Sequence, residues 1–87
     1  MPYIPKSDRS RYQEDIENLV AKLSVDGFTP GHLNYIMSML AKASFDAKPC
    51  YTRGNEIMGI FSSASHEFYR RWLAEYEKKA IDRNGDI

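Results

Sequence analysis

The chain has 87 residues, enough for one domain and too few for two. Lys plus Arg and Asp plus Glu both number 12, so there is none of the basic excess that duplex-DNA binding through phosphates usually requires; nucleic acid is not an expected partner. Hydrophobic residues at 43% and aromatics at 13% exclude a disordered chain, and a single cysteine, Cys50, excludes a disulfide framework and points to a reducing compartment.

The start, Met1 to Ser10, has no apolar run behind basic residues, and nowhere do the roughly 18 apolar residues needed to span a bilayer occur together. The expectation is a soluble protein of the cytosol with no membrane partner. Pro2 and Pro5 disfavour helix, so residues 1–6 read as an extended arm whose apolar Tyr3 and Ile4 must cover something, on this chain or a neighbouring one. A first helix is predicted over about 8–25. Ser10 to Gln13 fits a capping box, and Tyr12, Ile16, Leu19, Val20 and Leu23 make one apolar stripe. Asp26-Gly27 ends it.

Thr29-Pro30, as N-cap and first helical residue, opens a second helix over 30–46. Leu33, Ile36, Met37, Leu40 and Ala41 form its stripe, and Tyr35, Met39 and Phe45 carry apolar surface to other faces, which suits a central helix or one that also serves an interface. After Lys48-Pro49, Thr52 is the expected cap of a third helix over about 53–83, where Ile57, Phe61, Ala64, Phe68, Trp72 and Tyr76 recur at three- and four-residue steps. Offset charges Glu67–Arg71, Arg71–Glu75 and Glu75–Lys79 would support it, and Asn84-Gly85-Asp86 would stop it. The fold class is therefore all-α: a three-helix domain with a long C-terminal helix and an extended N-terminal arm.

Roughly 30 helical residues make a rod of about 45 Å, whereas a compact domain of this size is only about 30 Å across. Either Ser62-Ser63 breaks the helix or its distal residues meet another subunit. The uninterrupted pattern favours the second, so a homo-oligomer is expected, with Tyr3, Ile4, Trp72, Leu73 and Tyr76 at its interface.

Chemistry-bearing motifs are few. His32 and His66 have no companions at ligand spacing, so no metal site and no cofactor is expected. Asp82 to Asp86 places glycine fourth, where a calcium loop needs it sixth. Ser65-His66-Glu67 cannot form a relay, because consecutive helical side chains point about 100° apart. Cys50, next to Tyr51 with Lys48 and Arg53 nearby, lacks the flanking motif of a catalytic thiol, so no catalytic residue is assigned and the chain is read as non-enzymatic. Gly54 and Gly59 have P-loop spacing without the Lys-Ser/Thr that must follow, and Gly59 is read as a place where another helix approaches closely. The remaining cluster surrounds Arg70 and Arg71, whose planar forks suit phosphate or carboxylate. Tyr69 and Tyr76 could stack on a base or line an apolar groove. Arg71, with Glu67 and Glu75 one turn away on each side, should be held between them, leaving Arg70 freer.

Pro2 to Pro5, Leu33 to Ile36, Asn55 with Gly59, Glu67 to Arg71, Tyr76-Glu77 and Asn84 to Asp86 together resemble a family of short phage and prophage proteins of unknown function. The likeness runs nearly end to end, with 42–52 not distinctive. It implies a phage context and brings no catalytic assignment. Combined with the cluster, it suggests a phage-type oligomeric binder with an anion site made by Asn34, Tyr35, Asn55, Tyr69, Arg70 and Arg71. Such a binder would act in the host cytosol against a defence system by sequestering a nucleotide-like signal. The alternatives are a module, regulatory or virion-associated, that caps a host protein through the same tyrosines, and a small hydrolase-like enzyme.

Overall fold

The computed structural model describes residues 3–25 and 27–86. Four helical segments follow one another: α1 (Lys6–Val25), α2 (Pro30–Asp46), α3 (Tyr51–Phe68) and, after a π turn at Tyr69–Leu73, α4 (Ala74–Asn84). There is no strand among the described residues. The all-α expectation and the long C-terminal helix both hold. The chain divides into two compact units, residues 1–48 and 49–87.

In the first unit α1 begins directly after Pro5, earlier than expected, with the Asp8 N–H donating to the Pro5 carbonyl at 2.9 Å. Of the predicted arm, Tyr3 to Pro5 lie outside any helix, whereas Met1 and Pro2 fall outside the described residues. The capping box does not form. Ser10 lies inside the helix, its hydroxyl donating to the Ser7 carbonyl at 3.2 Å, and Gln13 donates forward to Glu17 at 2.9 Å. Pro5 accounts for this: it cannot continue a helix backward but leaves the next residue ready to start one. At the far end Gly27 adopts φ 77°, a left-handed conformation that ends a helix cheaply only at glycine. Asp26 lies outside the described residues.

α2 begins at Pro30 as predicted. Thr29 is extended (φ −129°, ψ 137°), but its hydroxyl caps nothing; its carbonyl receives the His32 and Leu33 N–H groups at 3.2 and 3.5 Å. Pro30 has no N–H to be capped and a fixed φ, so the position, not the hydroxyl, starts the helix.

In the second unit Cys50, not Thr52, is the N-cap of α3: its Sγ accepts the Arg53 N–H at 3.4 Å. From Tyr51 to Asn84 the helical path runs 34 residues without a gap, a rod of roughly 50 Å, and it passes regularly through Ser62-Ser63. The irregularity comes later. At Ala74 the N–H donates to the Tyr69 carbonyl, five residues back, so this turn holds one residue more than an α-turn. Gly85, at φ 85°, closes the helix with its N–H on the Ile81 carbonyl at 2.8 Å.

None of the described residues is buried. The apolar stripes are present at the predicted spacings, yet Ile16, Val20 and Leu40 on the first unit and Phe68, Trp72 and Tyr76 on the second are all half or more exposed. Gly59 corrects the packing expectation: a side chain there would meet nothing within 4 Å. With open space around it, Gly59→Ala should stabilise the helix by about 1 kcal/mol, the difference in helix propensity, measured as a higher denaturation midpoint at unchanged slope.

Candidate functional site

The predicted site residues divide between the two units. Asn34 and Tyr35 sit on the first turns of α2, and both are exposed. Tyr35 is 65% exposed and borders a groove between α1 and α2 of about 350 Å³, lined also by Leu19, Lys22, Leu23, His32 and Ile36. The short link after Val25 brings the last turns of one stripe beside the first turns of the other, giving a largely apolar groove to which Lys22, His32 and Tyr35 add polar groups. The sequence assigned Leu19, Lys22 and His32 to no site. The signal was there in the four-residue connection, which forces these turns to be neighbours.

Asn55, Tyr69, Arg70 and Arg71 belong to the second unit. Asn55 lies one turn into α3, and the 15 residues to Arg70 correspond to roughly 22 Å along the helix. One copy of this helix therefore cannot place Asn55 and the arginines on one small anion. Tyr69, Arg70 and Arg71 are consecutive within the π turn.

Both arginines turn back on Glu67. Arg70 Nη2 lies 2.5 Å from Glu67 Oε2, and Arg71 Nε lies 3.3 Å from Oε1. Arg71 is held by Glu67 as expected but does not reach Glu75, and Arg70, expected to be the freer of the two, makes the shorter contact with the same carboxylate. Arg71 instead lies over the Trp72 ring, 5.7 Å from its centroid, a cation–π distance. The Glu75–Lys79 pair is also missing among the described residues. The wide turn explains both losses, because an extra residue rotates Glu75 away from the line that a regular α-helix would draw through Glu67 and Arg71. The two guanidinium side chains remain 68% and 55% exposed, so their forks still face solvent.

Tyr69 shows the same effect. Its hydroxyl donates to Glu77 Oε2 at 3.1 Å although eight residues separate them. Eight α-helical steps would leave the two side chains roughly 80° apart, and the extra residue removes that offset. The hydrogen bond from the phenol and the negative charge of Glu77 raise the Tyr69 pKa above 10.0. Phe68 and Trp72 stack tilted on the same segment, centroids 5.8 Å apart. Cys50 is exposed and serves as a helix cap. No cluster of three or more metal-ligating side chains occurs among the described residues, and none of the helices is long and apolar enough to cross a membrane.

Comparison with known proteins adds one assignment. The chain belongs to the family described as Domain of unknown function (DUF6899), whose model matches residues 1–87. No curated protein and no solved structure matches. The family is an uncharacterised one, as the resemblance implied, and its residue roles have to be argued from the side chains themselves.

The Tyr69–Glu77 bond carries a pH signature. A phenol whose pKa is raised by folding contributes stability that is complete below pH 10, the ordinary tyrosine value, and lost as pH climbs through the raised value. The Tyr69→Phe difference in 295 nm absorbance should therefore isolate a tyrosine titrating above 10, and Glu77→Gln should bring that transition down.

Proposed function

We propose that this protein is a small non-enzymatic binding module that works as a homo-oligomer. The observation that carries the reading is the absence of any buried residue among those described, together with rows of exposed large apolar side chains on both units. A domain under 100 residues has little stability to spare, and burial of apolar surface is its main source. Side chains such as Phe68, Trp72, Leu73 and Tyr76 gain that burial by association. Tyr3 and Ile4, also exposed just ahead of α1, extend the same supply of apolar contacts. All six tyrosines are exposed, and a ring that carries a hydroxyl suits a surface that is wet before binding and covered after it.

A second reading concerns what the oligomer holds. The exposed forks of Arg70 and Arg71, beside the Tyr69 ring, are suited to a nucleotide-like anion, with Asn34, Tyr35 and Asn55 as further polar groups. Asn55 and the arginines could then meet on one ligand only if different copies supplied them. A phage origin, and with it a role against a host defence system in the host cytosol, rests on the sequence resemblance. Capture of a host protein through the same tyrosines is the competing form of the proposal.

The assembly reading is tested by sedimentation at micromolar concentration, where a dimer or larger species is expected. A monomer throughout would overturn it. Trp72→Ala should weaken assembly and lower thermal stability together, because aromatic anchors dominate such interfaces. For the anion, thermal shift with nucleotides and cyclic dinucleotides is the direct screen. A ligand present at a thousand times its Kd adds about 4 kcal/mol. Arg70→Lys should then keep fold and oligomer while losing about 1.5–3 kcal/mol of anion affinity, since lysine keeps the charge but not the fork.

A further inference from the structure

The π turn decides which residues share a face of the long helix. Counting back from Phe68, the residues on its face lie 4, 7 and 11 positions away: Ala64, Phe61 and Ile57. Counting forward on a regular α-helix, the same steps give Trp72, Glu75 and Lys79, two of them charged. The extra residue in the turn moves each step on by one, to Leu73, Tyr76 and Ala80. The face is then evenly spaced about Phe68, with Ile57, Phe61 and Ala64 before it and Leu73, Tyr76 and Ala80 at the same numbers of turns after it. Two of the three pairs equidistant from Phe68, Ile57 with Ala80 and Ala64 with Leu73, join a large residue to a small one, and the third, Phe61 with Tyr76, joins two rings.

A face evenly spaced about its centre, with complementary sizes on the two sides, fits its own copy laid antiparallel. We infer that two copies of this chain pair antiparallel along this face, about a two-fold axis beside Phe68, and that the π turn sets the register. The inference rests on the assembly reading above and names the surface and its partner. In this register Ile57 lies opposite the second copy's Ala80, Phe61 opposite Tyr76 and Ala64 opposite Leu73, so a large side chain meets a small one or ring meets ring. Two-fold contacts require this kind of self-complementary patch.

Area and charge agree with that occupant. A rod of roughly 50 Å with a diameter of about 10 Å offers on the order of 500–800 Å² along one side, close to the roughly 800 Å² per partner of specific interfaces. Phe68 and Tyr76, the centre and outer half of the face, are 56% and 63% exposed, whereas Ile57 and Phe61 are half-buried. On the flank, Glu56 of one copy falls beside Lys79 of the other, and neither has an ion-pair partner among the described residues. Antiparallel pairing thus brings opposite charges together at both ends.

Disulfide trapping in the full-length chain tests the register. In a Cys50→Ser background, where serine still caps α3, Phe68→Cys should cross-link to its own copy under mild oxidation. Ala64→Cys and Leu73→Cys should cross-link when mixed. Ile57→Cys alone should not, because the two copies of position 57 would lie about 35 Å apart, far beyond disulfide reach. Tyr76→Glu should weaken self-association about tenfold or more, as a charge in place of a paired aromatic anchor does, while Glu75→Lys changes it little. Circular dichroism confirms that each variant is helical, and the Ala64/Leu73 mixture decides the register if Phe68→Cys misfolds. Self-linking of Ile57→Cys, or an oligomer indifferent to Tyr76→Glu, would overturn the antiparallel pairing and leave the assembly reading intact. A monomer at every concentration would overturn both.

Discussion

The single extra residue in the turn at Tyr69–Leu73 governs the second unit. A stripe on an α-helix drifts unless its steps average about 3.6 residues, and the step from Phe68 to Leu73 is five. The wide turn absorbs the difference. Its consequences reach the side chains across it: Tyr69 meets Glu77 and Arg71 loses Glu75, while both arginines keep ordinary i, i+3 and i, i+4 contacts with Glu67. A π turn has poorer backbone geometry than the α-turn it replaces and recurs at functional sites. Here its effect on the molecule's surface is specific, because it exchanges Glu75 and Lys79 for Tyr76 and Ala80 on the apolar face.

The first unit depends on a different constraint. Its two helices are joined by a link so short that the end of α1 and the start of α2 must be neighbours, and Gly27 supplies the left-handed residue the reversal needs. The groove beside that reversal gathers Leu23 and Ile36 with Lys22, His32 and Tyr35. The stripes there remain partly exposed, so the hairpin has apolar surface left to give to a partner. Together the units describe a chain rich in helix and poor in interior. Local hydrogen bonds and i, i+4 pairs such as Lys42–Asp46 and Gln13–Glu17 support the helices individually, but pairs of this kind contribute only a few tenths of a kcal/mol each. The larger contribution must come from burial, which is why association is the reading that the exposed stripes favour.

Helix existence and order were legible in the sequence because they depend on local terms: a glycine where a left-handed φ is needed, a proline at the start of α2, and apolar residues at a 3.6 period. The positions of Pro30, Gly27 and Gly85 mark their boundaries in the chain as they do in space. Details that depend on competition between local partners were not legible. Ser10 took the Ser7 carbonyl as acceptor inside a helix that starts earlier, after Pro5, and α3 starts one residue before Thr52, so the Cys50 sulfur fills the cap position. Of the candidate site, the sequence singled out the arginines, the tyrosines and the Glu67–Arg71 pair, but not Glu77 as the partner of Tyr69, because that contact depends on the wide turn.

By itself, then, the sequence determined the helical class, the length of the last helix and the residue types available for binding, since all three follow from composition and short-range periodicity. Only the tertiary structure decided which of those residues act together. A period read along a string assumes a uniform helix, and one wide turn is enough to rotate everything beyond it by about 100°. That rotation joins Tyr69 to Glu77, parts Arg71 from Glu75, and turns a drifting row of apolar residues into one continuous face.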